Sequence, residues 1–210
     1  MSSCYKETIC CSHCNTKQKF TIWQSINVTL DPDLKKSLLS GDLTTLNCKR
    51  CGNKTGVDYD FLYHDMDKSL AVWLMREDDP ESKEARSTFR GLAETTRIVR
   101  TLHELFDKIK IFDDGLDDLG IELLKLYACV KQEIDPDAPF YYDKIDNSSG
   151  EKFLTFAIMI GDEFKTLQYP FEYYELAILP QAEKLRSQLD RSALDWARID
   201  RHFVLQATGG

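Results

Sequence analysis

Two short stretches, Cys11-Ser-His-Cys14 and Cys48-Lys-Arg-Cys51-Gly52, decide how the N-terminal part of this chain folds. Each stretch places two thiols on one tight turn, where both sulfurs can contact a common ion at about 2.3 Å. Two such turns are enough to close one tetrahedral site. Asn15 and Gly52 follow the turns, and both residue types tolerate the positive φ that such a turn requires. The pattern therefore predicts one structural zinc per chain, bound by Cys11, Cys14, Cys48 and Cys51.

The two turns are 33 residues apart, whereas a simple zinc ribbon has roughly 15–20 residues between its cysteine pairs. An inserted element must fill the difference. Asp31 suits a helix N-cap, Pro32 suits the first helical position, and Gly41 suits the end of a short helix. Residues 19–30 are rich in β-branched and aromatic side chains and predict a strand before this helix. Residues 43–47 predict a second strand that pairs beside the first and leads into the second cysteine turn.

The following segments differ in their periodicity. Residues 57–75 alternate in polarity around a turn at 64–67, which predicts a β-hairpin. Residues 77–90 are charged and have no apolar period, which is typical of a linker. Two apolar stripes of helical spacing, starting at Leu92 and Leu116, predict an antiparallel helical hairpin. After it, the sequence predicts three strands and then a helix that begins at Pro170.

We therefore expect an α+β protein. Its predicted parts are a zinc-ribbon-like domain (1–76) with a small antiparallel sheet and an inserted short helix, a charged linker (77–90), a helical hairpin (91–134), and a C-terminal lobe of strands plus helix (135–210).

Charge is distributed unevenly along the chain. The formal net charge is −8, but residues 1–76 carry ten Lys and Arg against eight Asp and Glu, so the acidity lies downstream. Nucleic-acid binding needs clustered positive charge, and the sequence supports it only weakly. The candidate phosphate contacts are the basic residues near the cysteine turns, Lys17, Lys19, Lys49, Arg50 and Lys54.

The apolar runs are much shorter than the roughly 20 residues that span a bilayer, and residues 1–15 lack the apolar stretch of a secretory signal. We expect a cytoplasmic protein without a membrane segment. In a reducing cytosol its seven cysteines are thiols or metal ligands rather than disulfides. A redox dithiol is the alternative, but such a pair opens a helix in a βαβ unit, and neither pair has that context. Unligated thiols are a third possibility.

Several other side chains have both a functional and a structural interpretation. Cys10 is a possible replacement ligand beside Cys11, whereas Cys4 is expected in a frayed terminus and Cys129 in a helix core. His64 with its neighbouring aspartates suits a general base or a metal site, but also a turn. The acidic residues around Gly115 do not have calcium-loop spacing and are better suited to cap a helix.

The sequence contains no nucleophile elbow, no phosphate-binding glycine loop, no His-Glu-x-x-His motif and no dinucleotide fingerprint. A four-thiolate zinc also lacks the open coordination position that metal catalysis requires. We therefore expect a binding module rather than an enzyme.

Five segments in order, residues 9–14, 20–32, 48–51, 62–67 and 108–118, resemble the CpXC-domain family of uncharacterised prokaryotic proteins. The resemblance covers roughly residues 7–130. The knuckles of that family have proline in the second position, where this chain has Ser12 and Lys49 while retaining all four sulfurs. The resemblance implies a metal-binding role for Cys11, Cys14, Cys48 and Cys51, although four thiolates suit zinc and iron alike.

Three functional classes follow from these features. The first is a zinc-binding adaptor or regulatory subunit that presents its surface to a protein partner. The second is a nucleic-acid-binding module of the zinc-ribbon type, and the third is a thiol oxidoreductase. We favour the first because the chain is acidic overall and lacks catalytic motifs.

Overall fold

The computed structural model describes residues 1–76, 91–148 and 150–209. The chain divides into two compact units, Met1–Thr96 (unit 1) and Arg97–Gly210 (unit 2). The charged linker predicted at 77–90 lies outside the described residues. Both units contain helices and strands, so the predicted α+β class is confirmed. Within the described ranges, no helix is both long and apolar enough to cross a membrane.

The main sheet of unit 1 is mixed, whereas the sequence predicted an antiparallel one. Its strands are β1 (Ser3–Cys10), β2 (Lys17–Asn27), β5 (Phe61–Asp65), β6 (Leu70–Leu74) and β7 (Thr95–Val99). They lie in the order β1-β2-β5-β6-β7, and β2 pairs in parallel with β5 while its other neighbour is antiparallel. A parallel pair needs a long crossover connection, and residues 28–60 supply it. This crossover contains the inserted helix and the second cysteine turn.

The N-terminus is an ordered strand, so the expectation that Cys4 lies in a frayed terminus is wrong. β1 pairs with β2 along its whole length, from Ser3 opposite Ser25 to Cys10 opposite Lys17. The side chains of β1 are almost all exposed. An edge strand with so little burial has no apolar alternation, which is why its sequence does not reveal it.

The crossover holds helix α1 (Pro32–Leu39) and the short strands β3 (Thr45–Asn47) and β4 (Lys54–Gly56). Pro32 lies at the start of α1 as predicted, although Asp31 makes no side-chain capping bond. β3 pairs with β4, not with β2 as the sequence suggested. The second cysteine turn reverses the chain so tightly that its two flanking segments become hairpin partners.

β5 and β6 form the predicted hairpin. The turn begins later than expected, because His64 and Asp65 are the last residues of β5. Asp65 nevertheless supports the turn, since its carboxylate accepts the N–H of Lys68 at 3.2 Å.

Unit 2 begins within β7. The sequence predicted a helix starting near Leu92, but Thr95–Val99 is a strand, and helix α2 (Leu102–Asp113) begins after Thr101. The Thr101 hydroxyl accepts the N–H of Glu104 at 3.1 Å and caps this helix. Helix α3 (Asp118–Gln132) follows, capped by Asp117, whose carboxylate accepts the N–H of Gly120 at 2.8 Å. The predicted capping role of the acidic segment is confirmed at Asp117.

The rest of unit 2 follows the predicted order of strands and helices. Strands β8 (Phe140–Asp146), β9 (Phe153–Ile160) and β10 (Glu163–Pro170) form an antiparallel sheet in the order β10-β9-β8. A helical segment then runs through α4 (Phe171–Tyr173), a π-helical turn (Tyr174–Ile178) and α5 (Leu179–Gln188), and the short helices α6 (Arg191–Leu194) and α7 (Arg201–Ala207) complete the described fold. One face of the sheet packs with α3 into the main apolar core, which includes Leu124, Phe140 and Phe156.

Candidate metal centre

The first cysteine turn joins β1 to β2. The N–H of Cys11 donates to the carbonyl of Thr16 at 3.0 Å, and the N–H of Asn15 donates to the carbonyl of Cys11 at 2.9 Å. Asn15 has φ of 55°, the left-handed conformation expected from its place after the turn. This hydrogen bonding curls the backbone around the sulfur of Cys11.

The second turn, between β3 and β4, repeats the first bond for bond. Here the N–H of Cys48 donates to the carbonyl of Asn53 at 2.9 Å, and the N–H of Gly52 donates to the carbonyl of Cys48 at 2.8 Å. Gly52 has φ of 75°, where a side chain would be strained. The two turns are therefore equivalent knuckles, and the predicted roles of Asn15 and Gly52 are confirmed.

The structure brings the four predicted sulfurs together. All four Sγ atoms lie within 4.8 Å of one another. Two distances join one knuckle to the other, with Cys11 Sγ 3.7 Å from Cys51 Sγ and Cys14 Sγ 3.6 Å from Cys48 Sγ. A tetrahedron with metal–sulfur bonds of about 2.3 Å has sulfurs about 3.8 Å apart. The two distances between the knuckles match the edge of that tetrahedron, and both are far longer than the roughly 2.05 Å of a disulfide.

Backbone N–H groups point at the sulfurs and favour their ionised form. The N–H groups of Cys14 and His13 lower the pKa of Cys11 to about 6. The hydroxyl of Thr16, 3.2 Å from the sulfur of Cys14, is the main cause that lowers the pKa of Cys14. The N–H of Asn53 lowers the pKa of Cys51, but burial and the neighbouring sulfurs outweigh it and raise that pKa to about 12. The first thiolate thus forms easily and the last resists, because each added negative charge repels the next. A divalent cation between the sulfurs removes that repulsion.

The knuckles are also joined to each other by polar side chains. The N–H of Ser12 donates to the hydroxyl of Thr55 at 3.3 Å, and the hydroxyl of Ser12 lies 3.0 Å from the same oxygen. In the second knuckle, the N–H of Lys49 donates to the side-chain oxygen of Gln18 at 3.2 Å. Proline has no N–H, so neither backbone bond can form in a knuckle that has proline at this position. Sequence reasoning missed these two bonds.

The other candidate ligands lie outside the cluster. Among the described residues, the four knuckle cysteines are the group that satisfies metal-ligand spacing. Cys10 and His13 are exposed beside it, and Cys129 is buried in α3 as predicted. His64 lies 3.5 Å from the Asn27 amide, and burial lowers its pKa, which favours the neutral ring.

The five predicted nucleic-acid contacts lie within the second knuckle or on the strands that adjoin the two knuckles. All are exposed: Lys17 and Lys19 on β2, Lys49 and Arg50 in the second knuckle, and Lys54 on β4. Arg50 donates to the hydroxyl of Thr16 at 3.4 Å and so contacts the polar shell of the cluster. The rim of the site is therefore basic within a chain of net charge −8.

Comparison with known proteins identifies a family. The model of the family described as CpXC protein matches residues 9–125, which include both knuckles, the inserted helix, the β5/β6 hairpin and the first part of α3. No curated protein and no solved structure matches the chain. The match covers more than half of the 210 residues, and the four cysteines that the family's knuckles supply converge on one point. The chain therefore belongs to the CpXC family.

Proposed function

We propose that this protein is a non-catalytic zinc-binding protein in which one structural zinc holds unit 1 together for interaction with a protein partner. The observation that carries the proposal is the convergence of four sulfurs, from two equivalent knuckles, at tetrahedral spacing. Four thiolates saturate zinc and leave no position for a substrate or an activated water. The metal would therefore act on structure rather than on chemistry.

Two features support zinc in particular. The site offers four sulfur ligands without oxygen, which excludes the hard cations calcium and magnesium. It is also partly buried, with Cys11 0% and Cys48 3% exposed, so a stable closed site is favoured over a labile one. Iron is the rival that shares this ligand set.

Metal analysis of the purified full chain tests this first step. The expected result is one zinc per chain, with loss of ordered unit 1 amide signals on chelation and retention of those of unit 2. If iron is found in place of zinc, the proposed metal is wrong but the four-cysteine site stands. A folded, metal-free protein with a reactive low-pKa thiol would replace the proposal with the oxidoreductase alternative.

The adaptor or regulatory role rests on charge. Unit 2 carries twenty-one Asp and Glu against fourteen Lys and Arg, which suits a basic protein surface. The test is affinity purification of the zinc-loaded chain from its own cells, followed by elution with salt. We expect a basic protein that is retained by wild type and by a Cys10→Ser control and is eluted by salt. Its loss with Cys11→Ser would show that zinc-bound unit 1 takes part in the contact, whereas its retention by Cys11→Ser would assign the contact to unit 2.

Nucleic-acid binding is the second candidate, because five exposed basic residues lie within the second knuckle or on the strands that adjoin the two knuckles. Anisotropy with labelled duplex DNA and single-stranded RNA at about 50 and 200 mM salt separates it from the adaptor role. Tight binding at low salt that disappears in a Lys49→Glu/Arg50→Glu variant would reverse our order of preference. Absence of binding at both salt concentrations supports the protein-partner proposal.

A further inference from the structure

Thr16 places a hydroxyl group against one of the four sulfurs. It follows the first knuckle by two residues, and its Oγ1 lies 3.2 Å from Cys14 Sγ. A cysteine that binds a metal has lost its thiol proton, so in a loaded site the proton between these two atoms must come from Thr16. Thr16 then supports the ligand with a hydrogen bond from outside the coordination shell.

Arg50 connects this contact to the second knuckle. It lies between Cys48 and Cys51, and its Nη1 donates to Thr16 Oγ1 at 3.4 Å. A hydroxyl oxygen has two lone pairs besides its one proton, so Thr16 can accept from Arg50 and donate to Cys14 at the same time. Hydrogen bonds in such a chain polarise one another, and a cation at its start strengthens the donor that follows.

Cys14 is a ligand whose environment leaves room for this support to matter. Cys11 and Cys48 are 0% and 3% exposed, whereas Cys14 is partly exposed. The shell around a metal site controls the access of solvent, and with it the access of competing ligands. An accessible sulfur therefore depends on hydrogen bonds where the two buried sulfurs depend on packing.

We propose that Arg50, Thr16 and Cys14 form a hydrogen-bond relay that helps the site to retain its metal. The relay rests on the proposed zinc site and makes Thr16 and Arg50 positioning residues rather than ligands. Charge alone predicted Arg50 as a phosphate contact, but its hydrogen bond in the structure is made within the metal centre.

The zinc affinity of the full chain, measured by competition with a chelator, tests the hydroxyl first. Thr16→Val keeps the shape of the side chain and removes the hydroxyl, which should weaken zinc binding roughly tenfold, at the lower end of the range for lost outer-shell contacts. Thr16→Ser retains the hydroxyl and should bind zinc as wild type does.

Two neighbouring cations of the second knuckle provide a matched comparison. Arg50→Met should weaken zinc binding about two- to fivefold, as expected for an exposed charge. Lys49→Met removes the same charge one residue away but keeps the backbone N–H that donates to Gln18, and should leave the affinity unchanged. In a Thr16→Val background, Arg50→Met should have no further effect, because Arg50 acts through Thr16.

Cobalt(II) in place of zinc gives a second readout, which a general loss of stability would not move. A hydrogen bond stabilises the sulfur lone pair from which the sulfur-to-cobalt charge-transfer band arises. The band should shift to lower energy in Thr16→Val and keep its position in Thr16→Ser and Lys49→Met.

Three results would overturn the relay and leave the zinc site standing. They are wild-type affinity and an unshifted band in Thr16→Val, equal affinities of Arg50→Met and Lys49→Met, and additive losses in the Thr16→Val/Arg50→Met double variant. Absence of metal from the wild-type chain would instead overturn the proposed function, and the relay with it. Should Thr16→Val not fold, the comparison of Arg50→Met with Lys49→Met decides, because both side chains are exposed.

Discussion

The two units handle buried polar atoms in opposite ways. In unit 1, four cysteine sulfurs lie together, and their thiolates repel one another. A cation from outside the chain is needed to balance their negative charge. In unit 2, three carboxylates and three cations of the same chain form a buried ionic network, so the charges balance without an added ion. The six members of this network are Arg97, Lys108, Lys125, Asp107, Asp118 and Glu122.

Apolar support differs too. Among the described residues, the buried apolar cluster beside the knuckles consists of Ile22, Leu46 and Val57, with partly buried Ile9, Phe20 and Tyr59 packed against it. We therefore expect the stability of unit 1 to depend on its metal and that of unit 2 to depend on its own side chains.

The largest expected effect comes from removing one sulfur. Cys11→Ser should abolish stoichiometric metal binding and unfold the knuckle region, because structural zinc in such sites is worth about 10–16 kcal/mol and a domain's net stability about 5–15 kcal/mol. Metal analysis and hydrogen exchange of the full chain measure this, with protection expected to survive in unit 2. Cys10→Ser, at an exposed residue beside the cluster, is the matched control and should retain the metal. Equal loss of protection in both units would show that their stabilities are not separable.

The corresponding experiment in unit 2 is Asp118→Asn. The substitution leaves Arg97 and Lys108 buried beside an uncharged amide, which should cost about 3–5 kcal/mol. Denaturant unfolding followed by probes in unit 2 measures the loss, and metal content should be unchanged. Glu175→Gln, an exposed substitution in the same unit, should change stability by no more than about 0.5 kcal/mol. A similar small effect for Asp118→Asn would mean that the network contributes little.

Acid should destabilise the two units at different pH values, because different groups are protonated in each. Burial opposes ionisation of Asp118, but Arg97 and Lys108 outweigh it and hold the pKa of that carboxyl below its ordinary value. A carboxyl with a lowered folded-state pKa stabilises the fold above its unfolded pKa of about 4, and that contribution is lost as the pH falls further. Unit 2 should therefore keep the Asp118 contribution down to about pH 4 and lose it below.

Unit 1 should lose its metal and unfold at a higher pH than unit 2, since protons compete with the metal for the thiolates. Acid titration followed by NMR in both units tests the order. The slope below about pH 4 should be shallower in Asp118→Asn, which has lost the titrating group. Unfolding of unit 2 at a higher pH than that of metal release would contradict the expected order.

The knuckles, the inserted helix and the three C-terminal strands could be predicted because local residue types determine them. Asn15 and Gly52 are suited to left-handed positions, and Pro32 to the start of a helix, whatever the rest of the chain does. β7 could not be predicted in this way, because Ile98 and Val99 fall in phase with the apolar stripe of the helix that follows. Both side chains are buried in the structure, but a β-strand rather than a helix buries them.

Contacts between segments that are distant in the chain could not be predicted from the sequence either. Asp118 is at the start of a helix, which suggests a role at the helix terminus, yet it is 1% exposed and paired with Arg97. The parallel pairing of β2 with β5 and the completion of the knuckles by Gln18 and Thr55 also depend on segments far apart in the chain. Periodicity and spacing do not report such partners.

The smallest expected effect concerns the position where the CpXC knuckle has proline. Ser12→Pro removes both the N–H that donates to Thr55 and the hydroxyl that lies 3.0 Å from the same oxygen, and each lost bond should cost about 0.5–1.5 kcal/mol. Proline also restricts the unfolded chain, which stabilises the fold by about 0.4–1 kcal/mol. The stability of the single variant therefore does not measure the bonding between Ser12 and Thr55. A double-mutant cycle with Thr55→Val separates the two contributions, because the restriction of the unfolded chain is the same in both backgrounds and cancels. We expect a coupling of about 1–3 kcal/mol, the sum of the two Ser12–Thr55 bonds, from thermal or chelator-induced unfolding of the metal-loaded protein. A coupling near zero would mean that the metal alone joins the knuckles, and that Ser12 replaces proline without bonding its partner knuckle.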